Sequence, residues 1–184
     1  MPAPLASREV VLDRLTETFK SCGYDGASLA DLSKATGLGK SSLYHHFPGG
    51  KEEMAAAVLD RLATQLSTTL LAPLGEGGPP RARIATMLDR VDAIYAGGER
   101  PCLLGAIALD SVAPLFRTQL SGIFAAWVDA LSAVLAEAGH GGDAPRLARD
   151  VVARIQGALV LARATGETTA FKEILETLRR DLAA

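Results

Sequence analysis

The sequence predicts an all-α protein of about nine helices, and two observations carry this prediction. Apolar residues recur every three or four positions along most of the 184-residue chain, which is the spacing of one face of an α-helix. Strand signals are nearly absent, because no run of β-branched residues alternates with polar residues between turn signals. Prolines and glycines stand between the periodic segments, where they end helices.

The composition excludes several classes of protein. With 48% hydrophobic and 22% charged residues, the chain resembles an ordinary globular protein and not a disordered one. Its uninterrupted apolar runs, such as residues 122–128, are far shorter than the roughly 18 residues of a membrane span. The N-terminus lacks the basic start and apolar centre of a secretion signal. We therefore expect a cytoplasmic protein with no membrane partner.

The reactive residue types give no sign of catalysis. Cys22 and Cys102 are too few for a disulfide framework and lack metal-ligand spacing, so we expect buried, reduced thiols. No phosphate-binding loop, metal-spaced cluster or nucleophile with a paired base stands out in the sequence. The sequence therefore predicts a protein that is not an enzyme and has no metal or cofactor.

Three helices are predicted before residue 50. The first has an apolar stripe and ends at Gly23; the stripe consists of Leu12, Leu15, Phe19 and Cys22. Ser28 is placed to cap a short second helix that ends near Gly37. A third short helix holds Leu43 and Phe47 before the break at residues 48–50.

Longer helices follow this break. A long one repeats apolar residues every four positions up to Pro73, and residues 75–80 form a linker. The next helix ends before Gly97, and a short apolar piece follows Pro101. Pro114 suits the first turn of another long helix, and Asp143 suits the cap of the helix after it. An amphipathic helix ends the chain.

Residues 29–47 have the spacing of a helix-turn-helix. Gly37 supplies the tight turn, Ser33 lets the second and third helices approach closely, and Leu43 pins the third helix to the first helix of the chain. The third helix opens at Gly39 with free backbone amides, followed by residues 40–42, whose sequence KSS is slim enough for a major groove. Although the net charge is −2, residues 32–51 contain three lysines and no acid. This local charge favours contact with phosphates.

Within residues 28–54, the segment "LYHHFPGGKEEM" resembles the DNA-binding domain of the TetR/AcrR regulators. Tyr44, His46, Phe47 and Lys51 stand in the order typical of that family after the glycine turn. "PGGKEE" and the later "RPCLLGAIALD" are similar to its LmrA/YxaF-like branch. Two departures are Gly39, where the family often has a serine or threonine cap, and a turn before Lys51 that is one residue longer than usual.

The resemblance implies a DNA-binding domain at residues 1–50 and a ligand-binding and dimerisation domain at 51–184. It puts Lys40 and Ser41 at base edges in the major groove. Six further side chains would hold or flank phosphates: Ser28, Ser42, Tyr44, His45, His46 and Lys51. Tyr44 could instead belong partly to the core. His45 and His46 are adjacent, so they project about 100° apart and do not form a joint metal site.

The resemblance also implies a cavity for an inducer in the C-terminal part. Its candidate lining is mostly apolar, as such pockets are: Met87, Tyr95, Leu104, Ile107, Phe116, Phe124 and Trp127. Asp110, Ser111 and Arg117 are candidate polar anchors. For each of these residues, the alternative is an ordinary place in the core or on the surface.

Residues 145–165 form a predicted helix that is apolar on more than one side and so needs two partners. Gly157, Ala158 and Ala162 allow close helix approach. With the last helix, it would form the homodimer interface that the resemblance implies.

These features together predict a dimeric transcriptional regulator. It would bind a roughly palindromic double-stranded operator and release it when a small apolar or aromatic inducer binds. Repression, as opposed to activation, is implied by the resemblance alone. The rival interpretation is a helical dimer that binds small molecules or proteins but not DNA, which the net charge of −2 and Gly39 favour.

Overall fold

The computed structural model describes residues 7–183, and no strand occurs in this part of the chain. Its helices are α1 (Arg8–Gly26), α2 (Leu29–Thr36), α3 (Lys40–His46), α4 (Gly50–Leu66), α5 (Ala72–Gly75), α6 (Pro80–Tyr95), α7 (Leu103–Leu109), α8 (Arg117–Leu135), α9 (Ala144–Thr165) and α10 (Thr169–Ala183). The all-α prediction is confirmed. The predicted long helix ending near Pro73 is divided by a π-helical segment, Ser67–Leu71, which yields one α-helix more than the nine expected.

The chain divides into two compact units. Residues up to 63 together with 103–120 form the head unit, and residues 64–102 together with 121 onwards form the C-terminal unit. This division differs from the predicted functional one at residues 1–50 and 51–184, which stays a prediction. Both predicted domains also include terminal residues outside the described range.

The head unit has a small apolar core. Its fully buried side chains come from α1, α2, α3, α4 and the turn after α3: Val11, Leu15, Phe19, Leu32, Leu43, Phe47, Met54, Val58 and Leu59. These residues recur at helical spacing on each helix, as the sequence predicted. Burying a leucine or phenylalanine side chain contributes about 1.5–3 kcal/mol, so this core fixes the helices against one another.

Caps define the second helix as predicted. The Ser28 hydroxyl accepts from the backbone N–H of Asp31, and the Asp31 carboxylate accepts from the Ser28 backbone in return, which is a capping box. Gly37 ends α2 with φ +71, a conformation that glycine adopts without strain.

The end of α1 differs in one detail from the prediction. Gly23 has φ +74 and ψ 178, so the helical path breaks there as expected and a last turn follows to Gly26. Cys22, however, is exposed and its thiol lies 3.0 Å from the carbonyl of Thr18. The expectation that both cysteines are buried is therefore wrong for Cys22 and right for Cys102.

In the C-terminal unit, α6, α8, α9 and α10 enclose a second core. Its buried residues include Ile84, Leu88, Val91, Trp127, Leu131, Ile155, Leu159, Phe171 and Leu175. Gly98, with φ +97, lies against α10: a Cβ atom there would be 3.0 Å from the Cβ of Phe171. Only glycine allows this close approach of the chain to α10.

Two predicted helix starts need correction. Pro114 lies in a series of turns three residues before α8 and not in its first turn, because turn hydrogen bonds such as Leu115 N–H to Val112 O hold this segment. Asp143 occupies the cap position of α9 but makes no capping hydrogen bond. Its carboxylate faces the guanidinium of Arg146 instead.

Within the described residues, the stretch Arg117–Thr165 includes one segment long and apolar enough to cross a membrane by length and composition. This finding qualifies the prediction that the chain has no membrane span. Charged residues such as Asp129 shorten the continuous apolar runs but leave the mean hydropathy of the segment high. Only 28% of that segment is buried within the chain. Core helices of water-soluble proteins pass the same test, so length and composition alone are weak grounds for a membrane span.

Candidate nucleic-acid interface

Helix α3 presents one polar face to solvent. Lys40, Ser41, Tyr44 and His45 are all exposed, and the Tyr44 side chain retains 45% of its accessible surface. Their spacing puts them on one side of the helix, and Leu43 is buried on the other side. The sequence predicted these four residues at the DNA interface. More than half of the Tyr44 surface is covered, so the ring is exposed on one side and partly packed on the other, and the alternative of a partly core position stays open.

The turn between α2 and α3 is fixed by hydrogen bonds. Ser33 donates its hydroxyl to the carbonyl of Leu38 at 2.5 Å, and Thr36 donates to the carbonyl of Leu32 at 2.7 Å. Arg14 of α1 donates to the carbonyl of Thr36 at 2.6 Å. The bond from Arg14 satisfies one of the carbonyls that the end of α2 leaves unpaired. Together, the three bonds fix the turn that leads into α3.

Gly39, at the start of α3, makes no side-chain cap. Its φ of −64 is available to any residue, and no described atom lies within 4 Å of the position of a Cβ. The glycine is therefore not required by the backbone here. The departure from the family pattern at this position leaves the fold of the turn unchanged.

Ser28 caps α2 and is also predicted to contact a phosphate. Its hydroxyl oxygen lies 2.5 Å from the Asp31 carboxylate and also accepts the Asp31 N–H. Hydrogen bonds from the Ser28 side chain and backbone lower the pKa of Asp31, which keeps that carboxylate charged. The capping box thus occupies most of the hydrogen-bonding capacity of Ser28. Its predicted phosphate contact stays a prediction.

The remaining predicted DNA contacts, Ser42, His46 and Lys51, are half-buried. The Lys51 ammonium lies 4.3 Å from the centre of the Tyr24 ring, which is cation–π geometry. Tyr24 belongs to the last turn of α1, and sequence reasoning missed it because the two residues are far apart in the chain.

Arg8 was also missed. Its guanidinium stacks 4.8 Å above the Phe47 ring and donates to the carbonyl of His46 at 3.3 Å. It adds an exposed cation at the C-terminal end of α3. No sequence motif marks it, because its position depends on how α1 packs against the turn after α3.

The predicted ligand-binding residues are distributed over both units. Leu104, Ile107 and Phe116 belong to the head unit, whereas Met87, Tyr95, Phe124 and Trp127 belong to the C-terminal unit. All except the half-buried Phe124 are at most 5% exposed. They are therefore core side chains in this structure, and a role in ligand binding stays a prediction.

Two of the predicted polar anchors form hydrogen bonds with residues of α1. Asp110 accepts a hydrogen bond from the backbone of Tyr24, and Ser111 donates to Asp25. Arg117 is exposed at the start of α8. Asp110 and Ser111 are thus engaged with the end of α1.

Polar groups are buried inside the C-terminal unit. The Tyr95 hydroxyl donates to the thiol of Cys102 at 3.3 Å. Burial raises the pKa of Tyr95 well above its usual value, the thiol of Cys102 adds to this, and the amide of Gln156 acts in the opposite sense. Trp127 Nε1 is buried with no hydrogen-bond partner among the described residues. Gln156 Nε2 is buried too, and it lies near enough to the Tyr95 hydroxyl to lower its pKa but outside ordinary hydrogen-bond geometry. These two N–H groups are donors available to a buried acceptor.

A cavity of about 120 Å³ lies on α6 and α10 of the C-terminal unit. Apolar side chains and two arginines line it: Arg81, Ile84, Ala85, Leu88, Arg179 and Leu182. None of the predicted ligand-binding residues belongs to this lining. Arg179 is held by Asp89 at 2.6 Å.

Two family models match the chain. Residues 11–58 match "Bacterial regulatory proteins, tetR family", and residues 80–177 match "Transcriptional regulator LmrA/YxaF-like, C-terminal domain". The first match contains α2, α3 and most of α1. The second covers more than half of the chain.

Similar proteins agree with these matches. The chain is 27% identical over 166 residues to the HTH-type transcriptional repressor DhaR of Mycobacterium sp. strain GP1, covering 83% of this chain and 80% of DhaR. It is 43% identical over 56 residues to the regulator LmrA of Bacillus subtilis, which is 30% of each chain. A solved structure of the TetR family regulator CifR, complexed with operator DNA, has a TM-score of 0.80, 24% identity and 98% coverage of both chains. At that identity, the last likeness shows the fold alone.

Proposed function

The chain belongs to the TetR family of bacterial transcriptional regulators, in its LmrA/YxaF-like branch, and from this premise we propose that it is a repressor released from its operator by a small ligand. A protein of this family is a DNA-binding regulator and not an enzyme. We also propose a cytoplasmic location, where a bacterial regulator meets its DNA.

The exposed face of α3 carries this proposal. We assign base contacts in the major groove to Lys40 and Ser41, whose side chains are exposed at the start of the helix. Tyr44, His45 and His46 would contact the flanking phosphates, with Ser28, Ser42 and Lys51 at the edge of the site. Phosphate contacts position such a helix, and the few base contacts read the sequence.

The dimer would form through α9 and α10. Val160 and Leu161 are 50% and 54% exposed on α9, next to the exposed Gly157. An apolar strip that begins at a glycine is suited to close packing against a second helix. Two heads about 34–36 Å apart would then meet successive major grooves of a palindromic site.

The ligand would bind inside the C-terminal unit, among the predicted residues that belong to it, Met87, Tyr95, Phe124 and Trp127. We propose that it is a small apolar or aromatic molecule with one hydrogen-bond acceptor, because Trp127 and Gln156 each offer a buried N–H without a partner. A ligand can release DNA only if it binds the non-binding conformation more tightly, so induction is a linkage between two sites.

The test is a titration of the purified protein against fluorescent DNA. The probe is the DNA upstream of its own gene or, failing selective binding there, fragments selected by the protein from a random-sequence pool. Unrelated DNA of equal length is the control. We expect selective binding that weakens as salt increases, because phosphate contacts release counterions.

Variants connect this binding to α3. The double variant Lys40→Ala/Tyr44→Ala should lose selective binding, whereas Lys20→Ala should keep it, because Lys20 lies on α1 and pairs with Glu17. Circular dichroism checks that each variant is folded. If the double variant bound the selected DNA as tightly as the unaltered protein, α3 would not be the recognition helix.

A further inference from the structure

Three hydrogen bonds join the end of α1 to the end of α7 within the head unit. The Asp110 carboxylate accepts the backbone N–H of Tyr24 at 2.6 Å. In return, the Asp25 carboxylate accepts the backbone N–H of Ser111 at 2.9 Å and its hydroxyl at 2.7 Å. We call these four residues the clasp. Each of its carboxylates binds the backbone of the other segment, across 86 positions of sequence.

The backbone next to the clasp fits it closely. Gly23 has φ +74, and a Cβ atom there would lie 3.1 and 3.2 Å from the two oxygens of Asp110. A side chain at this position would therefore be strained and would press on the carboxylate that holds Tyr24.

The ring of Tyr24 packs among other side chains of the head unit. This ring lies 6.1 Å from that of Phe116 in an edge-to-face arrangement and 6.0 Å from that of Phe19. The Lys51 ammonium is placed over the same ring, 4.3 Å from its centre. The hydrogen bonds from Ser111 lower the pKa of Asp25, and the charge of Lys51 adds to this. Lys51 thus interacts with two members of the clasp, with the ring of Tyr24 and with the charge of Asp25.

We propose that Asp110 and Ser111 are positioning residues for DNA binding, because the clasp holds Tyr24 beneath Lys51 and thereby fixes the ammonium for a phosphate contact. This inference rests on the proposed function, in which Lys51 meets the DNA backbone. A lysine side chain loses conformational entropy when it is fixed by a contact, so a ring that restricts it before binding favours the contact. When the clasp opens, Lys51 keeps its charge but loses its fixed position.

The experiment measures how the dissociation constant for the selected DNA depends on salt concentration. Lys51→Met is the reference, and each phosphate contact that is lost lowers the slope of the log–log plot by about 0.9, or about 1.8 for the two protomers of a dimer. Asp110→Ala removes the acceptor of the Tyr24 N–H, and Ser111→Ala removes one of the two bonds to Asp25. Ser111→Thr keeps both bonds.

The matched control is Asp13→Ala. Asp13 lies in the head unit, pairs with Arg61 at 2.6 Å and takes no part in the clasp. The control and Asp110→Ala remove the same negative charge, so a general change in electrostatic attraction affects both. Amide exchange at Tyr24 reports the clasp directly, because this N–H should exchange faster in Asp110→Ala and stay protected in Lys51→Met.

We expect Asp110→Ala to lower the salt slope like Lys51→Met, and the double variant to lower it no further. Ser111→Ala should give a smaller decrease, and Ser111→Thr and Asp13→Ala should give none. An unchanged slope in a folded Asp110→Ala with fast Tyr24 exchange would overturn the inference, as would additive effects in the double variant. If the unaltered protein showed no selective DNA binding, the proposed function would fail as well, so the two failures are distinguishable.

Discussion

Helix α3 of the head unit and the interior of the C-terminal unit place polar groups differently. In the head unit, the exposed side of α3 carries Lys40, Ser41, Tyr44 and His45 over a core that is almost entirely apolar. In the C-terminal unit, the hydroxyl of Tyr95 and unpartnered N–H groups of Trp127 and Gln156 are buried, whereas the exposed side of α9 carries Val160 and Leu161.

This difference reflects what each unit recognises under the proposed function. A polyanion such as DNA is met at the surface, where several cations act together and salt screens each contact. A small ligand offers few contacts, so each one must be desolvated to be strong. An unpartnered buried donor costs about 1–3 kcal/mol, a penalty that a ligand acceptor would remove. The comparison therefore predicts which substitutions alter DNA binding and which alter stability.

The largest expected effect comes from the apolar support of the head unit. Phe47 is fully buried at the end of α3, so Phe47→Ala should reduce the free energy of unfolding by about 3–5 kcal/mol and abolish DNA binding. Chemical denaturation and the DNA titration measure the two effects. Phe124→Ala, at a half-buried position of the C-terminal unit, should cost less stability. Equal losses for the two variants would mean that the burial of Phe47 does not determine its contribution.

The next effect concerns the outer side of α9. Gly157→Leu should weaken the dimer by about 1–3 kcal/mol, because an added side chain overpacks a close helix contact. The protomer itself should not suffer, since no described atom lies within 4 Å of a Cβ at this position and leucine favours a helix more than glycine does. Sedimentation over a range of concentrations measures the dissociation constant.

Gly122→Leu is the matched control for this variant. Gly122 lies on the exposed side of α8, also with no described atom within 4 Å of a Cβ, so the substitution adds the same bulk on another helix. It should leave the dimer intact. A dimer that tolerated Gly157→Leu but dissociated with Gly122→Leu would move the interface from α9 to α8.

A smaller effect of opposite sign is expected from the buried amide of Gln156. Gln156→Met keeps the length of the side chain and removes an N–H group without a partner, so stability should rise by about 1 kcal/mol. Gln119→Met is the control: its amide donates to Asp60 at 2.7 Å, and the loss of this bond should leave stability equal or lower. A destabilised Gln156→Met would indicate that the amide is satisfied in solution, which would weaken the proposal of a ligand acceptor.

The same comparison explains how much the sequence could predict. In the head unit, the cap at Ser28, the turn at Gly37 and the buried Leu43 depend on neighbours within a few residues, and all three were correct. The exposed site residues of α3 follow from the same local pattern. A motif of local contacts can therefore be read from one sequence.

Long-range packing could not be predicted in the same way. The contact of Lys51 with Tyr24, and those of Asp110 and Ser111 with the end of α1, join residues far apart in sequence. Neither has a pattern of spacing that would indicate it. Apolar residues such as Met87 and Ile107 look identical in sequence whether they line a cavity or fill a core. This is why the predicted ligand site is the least determined part.

The smallest expected effect concerns the N-terminal caps of the two short helices of the head unit, α2 and α3. Helix α2 begins with a complete capping box, whereas α3 begins at Gly39 with no side-chain cap. Gly39→Ser fits the observed φ of −64 and the open space there, and it should raise stability by only a few tenths of a kcal/mol, because glycine is itself a fair N-cap. Thermal unfolding measures this change.

DNA affinity should stay within about threefold in Gly39→Ser, since the substitution leaves Lys40 and Tyr44 exposed on the same helix. A large loss of affinity would instead show that DNA approaches the backbone of Gly39 too closely for any side chain, and the polar face of α3 would then begin one residue earlier than the side chains indicate.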